Sequence, residues 1–391
     1  MDKVDPKVDE AIETLNMKDG PSRRRLLKGT GLVSATAAAS ALLAACSSSN
    51  SNAGTKTGSG TKEVAGNFPK VPAWQFWFVN HVTTNSFFTP TQYGFADAAA
   101  LLGLPVPKWT GSTNSVASQM VAQINAAVSA KAAGIATTLI DASSFTTPVA
   151  NAMSAGIPVL SYNADGLVSK TGVANIGTNR LAYVGQALYT SGQQLGQRIK
   201  SLIPTPGPVV IFIETPGTGN IQPRYDGAAS ILTPAGYTVS EIETTTVPAT
   251  ILANEKAYLL AHKPKGAFAV DSTSTSFLAQ ALAETSMSTL PNGGFDTVPQ
   301  TLTNITAGKT DFTIYQDPYL QGFLPTLYLY LYNISGGTLP PSDTDTGLSF
   351  ITKGNLPEYN KDSRFQGSTT AQTYLPRPSG AIQNPMATTS T

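Results

Sequence analysis

The sequence predicts an α/β fold made of two parallel-sheet lobes, and three observations predict it. From Trp74 onward, short apolar runs alternate with stretches of helical periodicity, which argues for right-handed βαβ units. Removing the 45 residues before Cys46 from the 391 leaves 346, too many for one small core and fitting two lobes of ordinary size. Cys46 is the only cysteine, so neither an internal disulfide nor a Cys-based metal site is available, and burial must hold the fold together.

Near the start of the chain, Ser22, Arg23, Arg24, Arg25, Leu26, Leu27 and Lys28 form a twin-arginine export pattern, followed by an uncharged run that ends in Leu43-Ala44-Ala45-Cys46. Residues 1–45 are therefore expected to be a signal peptide, and the Leu-Ala-Ala-Cys box to make Cys46 a lipidated first residue of the exported protein. A diacylglycerol supplies two acyl chains, enough for stable anchoring at the outer face of the cytoplasmic membrane or in the periplasm. A plain cleaved signal with a chance cysteine is the alternative. Residues 46–69, rich in Ser, Asn, Gly, Thr and Lys, read as a flexible tether.

Candidate strands follow at Trp74–Val79, Ile135–Ile140, Ile157–Tyr162, Val209–Ile213, Tyr237–Ile242 and Ala267–Val270. Val116, Met120, Ile124 and Val128 recur every four residues, one face of a helix that Asn114 or Ser115 would cap and Gly134 would stop. Leu320, Phe323, Leu324, Leu327 and Leu331 repeat that spacing. Gln321, Gly322 and Pro325, and the shortness of the run, favour a buried helix over a membrane span. Residues 359–391, rich in Thr, Ser, Pro, Gln and Gly, are expected to be irregular.

Charge narrows the partners. Seven of the 25 Lys/Arg and six of the 24 Asp/Glu precede Cys46, leaving 18 of each sign in the exported part. A neutral chain without a basic stripe has no electrostatic footprint for nucleic acid. No metal-spaced His cluster and no G-x-S-x-G or H-E-x-x-H occurs, so neither metal nor cofactor is expected.

Six motifs in order carry a family resemblance: Asn85-Ser86-Phe87-Phe88, Ala155-Gly156-Ile157-Pro158-Val159, Arg224-Tyr225-Asp226-Gly227, Gly294-Phe295-Asp296, Tyr315-Gln316-Asp317-Pro318 and Thr346-Gly347. Over Trp74 to Leu356 the chain resembles the ribose-binding type of periplasmic sugar-binding protein, the substrate-binding component of ABC importers. The resemblance implies two doubly wound parallel-sheet lobes (a type I periplasmic binding protein-like fold) joined by a three-crossover hinge. Crossings would fall near Gly177, Asp317 and Thr344. One lobe would hold residues 70–177 with 317–343, the other 178–316 with 344–358.

The ligand would lie between the lobes at the carboxyl ends of the strands, where open α/β sheets bind ligands in general. A buried sugar hydroxyl without a partner costs on the order of 1–3 kcal/mol, so sugar pockets are dense in Asp, Asn, Gln and Arg. Phe87 and Phe88 match positions that pack on the sugar ring, or are helix core. Asn85 is a pocket residue, a helix cap, or both. Asp141 and Asn163 end apolar strands and would face the cleft. Asn163-Ala164 stands where the ribose binder has Asp followed by Arg, so a bidentate pair is lost; Asp165 either compensates or is a turn residue. Arg224 would donate to hydroxyls, or pair with Asp226. Asp271, Asp296 and Gln316 follow by alignment, although no apolar strand precedes Gly294. His81 ends the first strand and is either structural or a ligand contact; His262 is expected to be solvated.

These residues point to a monomeric binding protein that captures a neutral sugar or polyol and hands it to an ABC permease. A sensory binder for a sugar or an autoinducer-2-type furanose shares every feature. A glycoside hydrolase with Asp141, Asp271 or Asp296 as its acids is the enzyme alternative.

Overall fold

The computed structural model describes residues 68–141, 143–168, 174–175, 178–360 and 364–368. The signal, Cys46 and most of the tether lie outside them. The chain runs through β1 (Phe76–Asn80), a 3-10 turn (Ser86–Phe88), α1 (Thr89–Leu102), β2 (Lys108–Gly111), α2 (Ala117–Ser129), β3 (Gly134–Leu139), α3 (Thr146–Ser154) and β4 (Val159–Asp165). A two-stranded ribbon, β5 (Leu167–Val168) with β6 (Ala174–Asn175), precedes β7 (Tyr183–Gly185). The second alternation comprises α4 (Leu188–Leu202), β8 (Pro208–Ile213), α5 (Gln222–Leu232), β9 (Thr238–Glu243), α6 (Pro248–His262), β10 (Gly266–Ala269), α7 (Ser272–Glu284), β11 (Asn292–Phe295), α8 (Pro299–Thr306) and β12 (Phe312–Tyr315). Finally come α9 (Leu320–Ile334), β13 (Asp343–Asp345), β14 (Ser349–Ile351) and α10 (Leu356–Tyr359).

Two six-stranded sheets result, ordered β13-β7-β4-β3-β1-β2 and β14-β12-β11-β10-β8-β9. The first is parallel throughout, and in the second only β14 runs antiparallel, against β12. Each is covered on both faces, which is why the strands read as continuous apolar runs. In β1, Trp77 and Val79 face Met120, Ile124 and Val149, while Phe78 faces Phe95 and Tyr162 on the other side.

Several sequence expectations change. The α2 helix starts after Val116, because Ser115 sits in the left-handed region at φ 57° and Ser112 Oγ takes the backbone N–H groups of Asn114 and Val116. It ends at Ser129, and Gly134 instead opens β3. The strand missing before Gly294 exists as β11, four buried residues that include two glycines. A Cβ on Gly293 would lie 2.5 Å from the Phe312 ring, and one on Gly294 2.2 Å from Thr275 Oγ1. Neighbouring side chains fill the space an apolar strand would fill itself.

The crossings also move. Tyr183–Gly185 pairs with β4 and β13, so the first crossing follows Gly185 rather than lying near Gly177, which is outside the described residues. The second falls at Gln316–Asp317. Thr344 pairs with Val184 in the first sheet, so the third follows Asp345. Residues 183–185 and 343–345 thus belong to the first lobe's sheet.

After each of the first two crossings, the next helix meets its new lobe backbone to backbone. In the second lobe, a Cβ on Gly192 of α4 would lie 2.1 Å from Arg224 O, and one on Gly227 of α5 2.1 Å from Tyr189 O. In the first, a Cβ on Gly322 of α9 would lie 2.0 Å from Thr91 O, and one on Gly94 of α1 2.1 Å from Tyr319 O. Residues 364–368 form an irregular turn against α1. There Arg364 Nε donates to Asp97 Oδ2 at 2.7 Å, and Phe365 sits edge-on to Tyr319. Among the described residues no helix is long and apolar enough to cross a membrane.

Candidate ligand-binding site

The carboxyl ends of β1 and β4 line one side of a small cleft and those of β8, β10 and β11 the other, where open α/β sheets hold ligands. It encloses about 40 Å³, little more than one water's share of liquid, so a ligand ring enters only when the lobes part. Of the residues singled out from sequence, His81, Asn85, Phe87, Phe88, Asn163, Arg224, Asp271, Asp296 and Gln316 line it. Asp141 does not.

On the first-lobe side, His81 follows β1 and is buried, with Nδ1 3.1 Å from Thr138 Oγ1 and Nε2 3.4 Å from Asn220 Nδ2 of the other lobe. Burial lowers its pKa to about 4, so the ring is neutral. With the Asn220 amide donating to Nε2, the proton sits on Nδ1. Asn85 Oδ1 caps the 3-10 turn by accepting the Phe87 N–H at 2.9 Å, and Nδ2 reaches Ser272 Oγ of the second lobe at 3.4 Å. Both roles foreseen for Asn85 are therefore compatible. Phe87 and Phe88 pack edge-to-face at 4.8 Å inside the aromatic cluster of Phe78, Phe95 and Tyr162, and they are at once core and cavity wall. Asn163, left-handed at φ 61°, donates to Gln321 Oε1 at 3.0 Å, a bond that an aspartate could not make.

The second lobe contributes the charges. Arg224 is 2% exposed. Its Nη1 donates to Val270 O at 3.0 Å, its Nη2 to Gln186 Oε1 at 3.2 Å, and the guanidinium lies 4.2 Å over Phe295. Its Nε is buried without a hydrogen-bond partner, a donor available to a ligand oxygen. The surface ion pair with Asp226 does not form, since Asp226 accepts from Gln222 Nε2 at 3.1 Å. Asp271 caps α7: Oδ1 accepts Ser274 N–H at 2.7 Å, and Oδ2 accepts Glu214 N–H at 2.9 Å. Asp296, at φ 71°, accepts from Gln316 Nε2 at 2.7 Å. Burial raises the pKa of both aspartates, and the Asp296 charge raises Asp271 further.

Asp141 and Asp165 are not among the residues lining the cavity. Asp141 Oδ1 accepts the N–H groups of Ser143 at 2.9 Å and Ser144 at 2.6 Å. Those bonds outweigh partial burial and hold its carboxyl below the usual range. Asp165 forms a buried bidentate pair with Arg180 and takes the Ser161 hydroxyl, so it does not compensate for the missing Asp-Arg pair. Each carboxylate is committed locally to donors that a strand-end rule does not see.

Glu214, Asn220, Ile221, Ser272 and Val82 line the cleft unforeseen. Glu214 had a signal, because it directly follows the predicted strand Val209–Ile213, as Asp271 follows Ala267–Val270. Burial first, and the Asp271 charge second, push its carboxyl well above the usual range. The cleft therefore combines acceptors (Asp271, Asp296), a carboxyl that keeps its proton (Glu214), a free N–H (Arg224 Nε) and an aromatic wall. This set suits a molecule with hydroxyls and an apolar face.

Amide side chains tie the cleft to the hinge. Gln321 Nε2 donates to both the carbonyl and the side chain of Gln316, at 3.1 Å each, and lies 3.2 Å from Thr346 Oγ1. Gln186 Nε2 reaches Gly347 O at 3.4 Å. Two larger cavities exist, about 260 Å³ beside the hinge at Tyr183 to Thr190 and about 320 Å³ beneath Gln366 and Gly367. Neither gathers polar groups from strand ends of both lobes, so the smaller one is the candidate site. Among the described residues no cluster of His, Cys, Asp and Glu has metal-binding geometry.

The xylose/arabinose-binding protein XylF of Sulfolobus acidocaldarius is 44% identical over 314 residues, 78% of each chain. Among solved structures, an ABC-transporter solute-binding protein of Burkholderia graminis in complex with D-arabinose superposes with TM-score 0.67 at 24% identity, over 75% of this chain and 99% of the other. GanP, a glucose-galactose binding protein of Geobacillus stearothermophilus, superposes with TM-score 0.66 at 20% identity, over 73% of this chain and all of the other. The model of the periplasmic binding protein domain family matches residues 76–333. With two doubly wound lobes, a polar cleft between them and these relatives, the chain belongs to the periplasmic binding protein family, whose members bind solutes rather than transform them.

Proposed function

We propose that this protein captures a neutral monosaccharide, a pentose of the xylose or arabinose kind, and delivers it to an ABC importer from outside the cytoplasmic membrane. The observation that carries the reading is the pairing, in one small cleft, of the Phe87–Phe88 wall with the unpartnered Nε of Arg224 and the carboxyls of Glu214, Asp271 and Asp296. Two carboxylates, Asp271 and Asp296, against one guanidinium favour an uncharged ligand over a sugar acid. Similarity to a xylose/arabinose-binding relative over 78% of the chain narrows the sugar to pentoses. Ribose in particular loses the Asp-Arg pair at Asn163-Ala164.

Export through the twin-arginine route and lipid attachment at Cys46 complete the proposal, supported by the Ser22–Lys28 pattern and the Leu43–Cys46 box. Calorimetric titration of residues 46–391, with Cys46→Ser, against D-xylose, L-arabinose, D-ribose, D-glucose and D-galacturonate tests the ligand. Xylose or arabinose should bind most tightly. Tighter binding of galacturonate than of every neutral sugar would refute the neutral-ligand reading.

A further inference from the structure

Among the described residues, the two lobes hydrogen-bond backbone to backbone across the cleft mouth at one point. Gly219 N donates to Ile140 O at 2.7 Å, and a Cβ built on Gly219 would lie 2.2 Å from Gly166 O and 2.5 Å from Gly166 C. Hydrogen bonds between side chains across the mouth are longer, Asn220 with His81 and Asn85 with Ser272, both at 3.4 Å.

Both halves of the backbone contact are stiff. On the first-lobe side, Ile140 follows directly on β3, and Gly166 is held there by donating to Leu139 O at 2.6 Å. On the second-lobe side, the loop between β8 and α5 is cross-braced. Thr218 Oγ1 donates to Thr215 O at 2.7 Å, Gln222 Oε1 accepts Gly217 N–H at 2.6 Å, and Gln222 N donates to Thr218 O at 3.0 Å. The same short loop carries Glu214 and Asn220 into the cavity and leads into Arg224. Docking its tip fixes the approach of the second lobe's polar groups.

Glycine at 219 is required by closeness, not by conformation. Unlike Gly217, at φ +81°, Gly219 does not have a left-handed φ, so alanine fits the loop itself. An added methyl meets an obstacle only when the lobes are shut, and that obstacle is rigid backbone rather than a movable side chain.

We propose that Gly219 is a positioning residue: its bare backbone docks on Gly166 and Ile140 as a latch that holds the closed lobes over the ligand and sets how slowly the ligand leaves. An interaction made only in the closed state shifts the open–closed equilibrium, whereas one made in both states does not. The ligand-dependent arm rests on the sugar-binding reading; the latch itself is geometric.

The test compares the wild type with Gly219→Ala, using D-xylose and L-arabinose as probes. Stopped-flow binding should show dissociation faster by about tenfold or more with association changed by less than about twofold, because docking follows encounter. The melting temperature should fall more with sugar than without it, and sugar-induced compaction in small-angle scattering should shrink. Unchanged dissociation overturns the latch, as does a loss of sugar-free stability that accounts for the whole effect. Amide exchange at position 219 supplies a reading without ligand: the Gly219 amide of the wild type should exchange about tenfold or more slower than the amide at the same position in the variant. Equal exchange in the two proteins, with and without sugar, overturns the latch. A wild type that binds neither pentose removes the pentose reading and leaves the exchange comparison standing.

Discussion

Arg224 Nη2 donates to Gln186 Oε1 at 3.2 Å, joining the buried guanidinium of the second lobe to the residue where the chain first leaves the first lobe. The arginine lines the cleft and supports the hinge with Nη2. Arg224→Ala should therefore lower sugar affinity about tenfold or more and also cost about 2–3 kcal/mol of stability, since Val270 O and Gln186 lose their donor. Calorimetry and urea unfolding measure the two losses separately. Loss of affinity with full stability would mean the hinge contact contributes nothing.

Asp141 offers the opposite expectation. Its carboxylate serves Ser143 and Ser144 and stands off the cavity wall. Asp141→Ala should cost about 1 kcal/mol, the scale of a lost cap, and change affinity by less than about twofold. Asp296→Ala, which removes a cavity carboxylate, should weaken binding about tenfold or more. Titrating both variants with the same sugar decides whether the strand-end carboxylate or the cavity carboxylate binds.

The His81 ring makes stability depend on pH in a definite direction. Its folded pKa is lowered to about 4 by burial, against about 6.5 unfolded. The unfolded chain then binds a proton that the folded one refuses, so His81's contribution is complete above about pH 6.5 and is lost as pH falls toward 4. The loss amounts to about 3 kcal/mol. His81→Gln does not titrate, so urea unfolding of the two proteins at pH 7 and pH 4 isolates this contribution. Equal losses in both would show that the ring is protonated in the folded state.

Cys46→Ser should move the protein from the membrane fraction to the soluble one without altering its melting temperature, because the residue precedes the folded lobes. An Arg23→Lys, Arg24→Lys double change should leave unprocessed precursor inside the cell. Normal export of that double variant would point to the general secretory route instead.

Much of the architecture is legible because a parallel strand covered on both faces is buried along its length and mostly apolar, as β1, β3, β8 and β10 are. The strands that hide are those whose burial is supplied by others. β11 is Asn-Gly-Gly-Phe, with its volume filled by Phe312 and Thr275, and β2 is a half-buried edge that opens on Lys108. The cleft is legible through one rule, that the residue after an apolar strand faces it. That rule finds Asn163 and Asp271 and, applied to Val209–Ile213, would have found Glu214. The same rule singles out Asp141, whose carboxylate accepts the Ser143 and Ser144 N–H groups and is not among the residues lining the cavity.

The paired glycines Gly94 with Gly322 and Gly192 with Gly227 bear on how the molecule moves. Helices that meet through side chains can slide by repacking rotamers, which is how shear motions arise; helices that meet main chain to main chain have no such lubricating layer. Each lobe is thus welded to the first helix that enters it from the other. Bending is left to the three crossings, around Gln186, Gln316 and Thr346, so ligand capture is expected to swing two solid halves on three pins.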